Sequence, residues 1–101
     1  MPTILRSSRA QHVNVTDDAL TVDLADGRTI SVPLVWYPRL LHATAEERSH
    51  WRFIGDKVGM HWPDLDEDIS VENIVLGKPS GESQRSFQRW LEERAKRSMQ
   101  P

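Results

Sequence analysis

The sequence predicts an α+β fold: a small antiparallel, hairpin-rich β-sheet with short helices and one C-terminal amphipathic helix. Three observations carry that prediction. Leu20, Val22 and Leu24 alternate with Thr21 and Asp23, and Ile30, Val32 and Leu34 alternate with Ser31 and Pro33, on either side of Ala25-Asp26-Gly27. The stretch His61-Trp62-Pro63-Asp64-Leu65-Asp66-Glu67-Asp68-Ile69-Ser70 passes from the end of a strand to the start of a helix. Phe87, Trp90, Leu91 and Ala95 recur at helical spacing near the C-terminus.

Residues 1–9 are polar apart from Ile4 and Leu5 and read as a loose lead-in. His12-Val13-Asn14-Val15 begins a strand, and Thr16-Asp17-Asp18 supplies turn-forming side chains. For the hairpin that follows, parity selects the loop. A two-residue Asp26-Gly27 loop would set Val22 opposite Ser31 and divide the apolar residues between two faces, whereas a three-residue loop sets Val22 opposite Ile30 and Leu20 opposite Val32. A type I turn with a bulge is therefore expected, with Gly27 in the left-handed conformation that a Cβ resists. Pro33 cannot donate to a ladder, so its strand should be an edge or end there.

Trp36-Tyr37-Pro38-Arg39-Leu40-Leu41-His42 reads as a short helix with Pro38 in its first turn, where the missing N–H is harmless. Thr44 is a candidate N-cap for residues 45–51, with Glu47 completing a capping box. Arg52-Phe53-Ile54 and Val58-Gly59-Met60-His61-Trp62 are two short strands, the second ended by Pro63. Ser70 is placed to cap residues 71–76, with Ile69 stapling onto Ile74 and Gly77 stopping the helix. Lys78-Pro79-Ser80-Gly81 is a linker, and residues 82–99 form the last helix. The chain is thus read as one domain overall: an α+β unit over 1–77, a linker over 78–81, and a helix with its tail over 82–101.

Bulk properties limit the function. The 101 residues, 38% apolar and with 4 Trp, suit one modest core. A net charge of -2 and a pI near 6.0 do not suit nucleic-acid binding by overall charge, although the middle of the chain is acidic and its end basic. Without Cys there is no disulfide framework, thiolate metal site or cysteine nucleophile. Neither a signal-type apolar region nor a spanning run is present, so a soluble cytoplasmic protein is expected.

The residues of the hairpin, the run Val32-Pro33-Leu34-Val35-Trp36-Tyr37-Pro38-Arg39-Leu40, and above all Gly59-Met60 with the His61 to Ser70 stretch resemble a bacterial family, domain of unknown function 2442. The resemblance spans roughly residues 13–77. It implies a small α+β domain on a hairpin-rich antiparallel sheet. Some members are followed by a helical DNA-binding domain, and some are encoded beside small proteins of domain of unknown function 4160, an arrangement similar to toxin-antitoxin pairs. It implies no catalytic residues. The chain has one helix beyond the matching part, so a complete helix-turn-helix is not expected.

Asp64, Asp66 and Asp68 have the alternate spacing of a calcium loop, yet Ile69 stands where the sharp turn wants Gly and Val75 where a bidentate Glu belongs. His61 with Asp64, Asp66 and Asp68 is a weak metal candidate, and the preferred reading is that the carboxylates favour the helix start at Ser70. No cofactor or resident metal is expected. No nucleophile elbow, phosphate-binding glycine loop or zinc-binding His pair is present, so a noncatalytic role is expected. Most large aromatics belong to the core, but Trp36 or Tyr37 could stand exposed beside Arg39 as a binding anchor. The apolar face Phe87, Trp90, Leu91 of the last helix either closes the domain or enters a partner's groove, with Arg85, Arg89 and Arg94 on its basic side.

The expected function is that of a binding module, an antitoxin-like partner occluding a small toxin of the domain of unknown function 4160 type. Self-association into a homodimer is a further possibility, as is DNA association through the basic last helix, and a metal-dependent activity at the acidic loop ranks behind both. The expected structural residues are Gly27, Pro63, Ile69, Ser70 and Gly77.

Overall fold

The computed structural model describes residues 9–98. The lead-in lies outside them except for Arg9, as do Met99 at the end of the expected last helix and residues 100 and 101. The chain is α+β, and its strands form two three-stranded antiparallel sheets. The first holds β1 (Ala10–Val15), β2 (Ala19–Leu24) and β3 (Thr29–Pro33), and the second holds β4 (Arg52–Ile54), β5 (Gly59–Trp62) and β6 (Glu67–Ser70). Between them lie a single 3-10 turn (Leu34–Trp36), α1 (Pro38–Leu41) and α2 (Ala45–Ser49). After β6 come α3 (Val71–Val75) and α4 (Gln84–Ser98).

The first sheet follows the parity argument. Val22 pairs with Ile30 and Leu20 with Val32, and Gly27 closes the loop at φ 97°. Its N–H donates to the Leu24 carbonyl at 3.0 Å while the Leu24 N–H donates to the Arg28 carbonyl at 2.7 Å, the pattern of a type I turn plus bulge. β3 lies at an edge and ends at Pro33, where the missing donor costs no ladder bond. At the preceding turn, Thr16 Oγ1 accepts from the Asp18 and Ala19 N–H groups.

The helix ends are also locally determined. Pro38 occupies the first turn of α1, which begins two residues later than the Trp36 start expected, because a 3-10 turn occupies Leu34–Trp36. Thr44 and Glu47 form both bonds of the capping box on α2, which stops at Ser49 rather than at Trp51. Ser70 Oγ accepts from the Asn73 N–H at 3.3 Å. Gly77, at φ 71°, and Lys78 donate back to the carbonyls of Ile74 and Asn73, a left-handed cap that satisfies the last turn of α3. Ser70→Ala is expected to cost about 1 kcal/mol, read as a fall of about 4–8 °C in Tm.

One expectation is corrected. The residues after Pro63 are not a loop running straight into a helix. A turn over 63–66 returns the chain as β6, which pairs Trp62 with Glu67, His61 with Asp68, Met60 with Ile69 and Gly59 with Ser70. The strand was hidden because Glu67 and Asp68 break its apolar pattern. Leu65, Ile69 and Val71 are nevertheless all buried at one parity, so Glu67 shares the inward face.

The core joins both sheets. Leu20, Leu24, Leu34, Leu40, Met60, Trp62, Leu65 and Ile74 are fully enclosed. Ile69 and Ile74 are both buried, as a staple across the start of α3 requires. Residues 78–81 are tied rather than free, since the Ser80 N–H donates to the Trp36 carbonyl at 3.0 Å. No helix among the described residues is long and apolar enough to cross a membrane.

Candidate functional site

Arg39 enters at the first turn of α1 and meets two distant segments. Its Nε and Nη2 donate to the Glu82 carboxylate at 2.6–3.0 Å, and its Nη1 donates to the carbonyls of Leu65 at 2.9 Å and Asp66 at 3.1 Å. One guanidinium therefore joins α1, the 63–66 turn and the approach to α4. The Arg39 hydrogen bonds, helped by Ser86, hold the Glu82 carboxyl below the usual range. Ser83 Oγ accepts from the Ser86 N–H at the start of α4, as an N-cap does.

Trp90 then lies against two cations, with the Arg39 guanidinium 5.3 Å and the Arg94 guanidinium 4.6 Å from its ring centroid. Arg94 makes a two-pronged pair with Glu47, each bond 3.0 Å. Glu47, whose carboxyl Arg94 holds below its usual range, thus closes the start of α2 and anchors α4 together. Phe87 stacks on Trp90 at 5.7 Å and meets His42 edge-on at 5.0 Å. Of the expected apolar face, Trp90 is buried and Phe87 and Leu91 are half-buried. The helix is docked along this face, while Arg85 and Arg89 remain exposed.

A groove of about 490 Å³ runs between the 63–66 turn and α4, lined by Arg39, Asp64, Asp66, Arg89, Trp90 and Arg94 among others. The expectation of an exposed aromatic beside Arg39 divides here. Trp36 is half-buried, but Tyr37 is enclosed and belongs to the core. Its ring adds area to the core of a small domain, and its hydroxyl remains buried without a hydrogen-bond partner among the described residues.

Glu67 lies near that hydroxyl. Burial pushes its carboxyl up to about 7; Arg39 opposes the rise, and the charges of Glu82, Asp68 and Asp66 add to it. Because the folded pKa of about 7 exceeds the ordinary 4.5, the folded state holds more protons between those values. The stability this group supplies is present at low pH and is lost as pH rises through about 7. A shift of that size corresponds to roughly 3 kcal/mol, which solvent screening of a half-buried group reduces to about 1–2 kcal/mol. Glu67→Gln is therefore expected to stabilise the protein by that smaller amount at pH 8 and to leave it unchanged near pH 4. Urea titrations at the two pH values check this.

The residues considered for a metal are drawn apart. His61 Nδ1 pairs across the strands with Asp68, Asp64 pairs with His50 Nδ1 at 2.8 Å, and Asp66 gives Arg39 its backbone carbonyl. Among the described residues no three His, Cys, Asp or Glu side chains form a group able to hold a metal ion. Conversely, Glu47 and Glu82 had no local signal as site residues, lying 47 and 43 positions from their arginines. Glu67 was detectable from its parity with Leu65 and Ile69.

A family model described as "Protein of unknown function (DUF2442)" matches residues 10–80, so α4 lies beyond the match. Among solved structures, the chain is similar to a protein of unknown function from Rhodospirillum rubrum, with a TM-score of 0.63 and 24% identity, covering 75% of this chain and 94% of that one. That likeness shows the fold. No curated protein matches.

Proposed function

This chain belongs to the DUF2442 family, and from that premise we propose that it is a noncatalytic cytoplasmic binding module, an antitoxin-like partner that neutralises a small toxin by occluding its surface. The observation that carries the reading is the Arg39–Trp90–Arg94 stack lining the groove beside α4. Trp and Arg dominate the energetics of protein interfaces. Here both arginines are already held by Glu82 and Glu47, so binding would order few additional side chains. Exposed Arg85 and Arg89 extend the surface along the helix.

Coexpression with the product of the adjacent gene is expected to give a soluble copurifying complex and to rescue growth. Neither complex nor rescue would sink the proposal. A second reading, DNA association, draws on Arg85, Arg89, Lys96 and Arg97, all exposed on α4. It requires binding to duplex DNA that weakens steeply with salt, and a mobility-shift series without such binding removes it.

A further inference from the structure

A separate cleft of about 120 Å³ opens beside Glu67, bordered by Tyr37, Glu67, Ser70, Asn73, Lys78 and Ser80. At roughly 30 Å³ per water molecule, it holds about four waters or one small polar head group. Two features mark it as more than a surface dent. Tyr37 is 3% exposed, and its hydroxyl is the buried side-chain oxygen left without a partner among the described residues. Such a group ordinarily finds a hydrogen bond, and leaving it unmet costs about 1–3 kcal/mol. Glu67, half-buried beside it, also makes no side-chain hydrogen bond among the described residues. Arg39 does not provide one, because its donors are directed to Glu82 and to the carbonyls of Leu65 and Asp66.

The surrounding charges select the ligand. The groups facing Glu67 are Tyr37, Arg39, Asp66, Asp68 and Glu82, with Lys78 at the cleft's edge. Four carboxyl groups against two cations disfavour an anion, and a neutral ligand would leave the Glu67 charge unanswered. A metal ion would lack ligands, since no suitable group of three exists among the described residues. An ammonium offers three donors from one compact charge, matching a carboxylate, a phenol oxygen and neighbouring hydroxyl or amide oxygens.

We propose that this cleft receives a primary ammonium group, hydrogen-bonded between the Glu67 carboxylate and the Tyr37 hydroxyl. In the binding-module reading, on which the choice of source rests, that ammonium is a lysine head on the partner; a small alkylamine carries the same chemistry.

The test is a titration of the full chain, followed by NMR, with Nα-acetyl-lysine N-methylamide and with n-butylamine at pH 6 and pH 8. Saturable shifts are expected at Tyr37, Glu67 and Ser80. Affinity should rise about tenfold between the two pH values, because Glu67 ionises near 7. Tyr37→Phe and Glu67→Gln should each weaken binding at least about fivefold without lowering Tm, which separates a site from a packing role. Tighter binding of the lysine amide assigns the cleft to a partner's lysine, and equal binding assigns it to small amines; both support the ammonium site. No saturable shift at pH 8, or unaltered binding by both variants, overturns it. A complex that forms in coexpression while the amines fail to bind overturns this site alone, whereas amine binding without any complex overturns the module reading alone.

Discussion

Trp62→Ala is expected to remove about 4–5 kcal/mol of stability, the upper part of the range for deleting a buried aromatic. Trp62 is fully enclosed, ends β5, and pairs with Glu67 at the start of β6. Its Nε1 donates to the Arg48 carbonyl at 3.0 Å. The substitution therefore opens a large cavity and strands a buried acceptor at the same time. A domain of this size has about 5–15 kcal/mol in total, so the variant should be partly or wholly unfolded at low denaturant. Trp62→Phe refills most of the volume but not the N–H, and should cost about 2–3 kcal/mol. Denaturant titrations give both numbers. A loss under about 2 kcal/mol for the alanine variant would show that β5 and β6 do not depend on this side chain.

Arg39→Ala should act differently, by releasing α4. The substitution leaves the Glu82 side chain, 10% exposed, without its cation, removes the donor to two turn carbonyls, and takes one cation away from the Trp90 ring. Breaking a fully buried ion pair from one side costs about 3–5 kcal/mol, and this partly buried one should cost about 1–3 kcal/mol. Arg94–Glu47, the Phe87 contacts and the packing of Trp90 and Leu91 still anchor α4. Helix loss should therefore precede unfolding of the sheets. Far-ultraviolet circular dichroism and the NMR signal of the Trp62 indole are expected to give separate transitions in the variant. Arg39→Lys keeps the charge but cannot span the same acceptors, so it should recover only part of the loss. Replacing both Arg39 and Glu82 by Met should cost far less than Arg39→Ala, because no buried charge is stranded.

The same pair sets an acid limit. The Glu82 and Glu47 carboxyls lie below their usual pKa in the folded protein. Their stabilisation is present above the ordinary carboxylate range and is lost as pH falls through the lowered values. Glu67 runs in the opposite direction, penalising the fold as pH rises through about 7. The docking of α4 should therefore fail in acid, while the neighbourhood of β6 is firmest below neutral pH.

The features legible in the sequence share a physical property: their partners lie within a few residues. Gly27 and its loop length set the register of β2 on β3, Thr44 and Glu47 close their box, and Ser70 and Gly77 begin and end α3. Each is a short-range hydrogen bond or backbone requirement, decided by residue type before any tertiary contact forms. β6 was less legible because an inward Glu and an outward Asp disguise its alternation, although its parity with Leu65 and Ile69 was present.

The amino-acid sequence by itself thus determined the α+β class, the hairpin geometry, the caps at Thr44, Ser70 and Gly77, and the DUF2442 family. Only the tertiary structure decided that the His61 to Ser70 stretch closes a second sheet, that Tyr37 turns inward, and that α4 is clamped by Arg39–Glu82 and Arg94–Glu47. It also decided that, of the weak metal candidates, His61 pairs with Asp68 while Asp64 pairs with His50. The reason is that ion pairing and pKa depend on distance and burial rather than on spacing along the chain. Thus Glu67 and Glu82 are chemically identical residues with opposite shifts: one is half-buried with no side-chain hydrogen bond among the described residues, and the other meets an arginine.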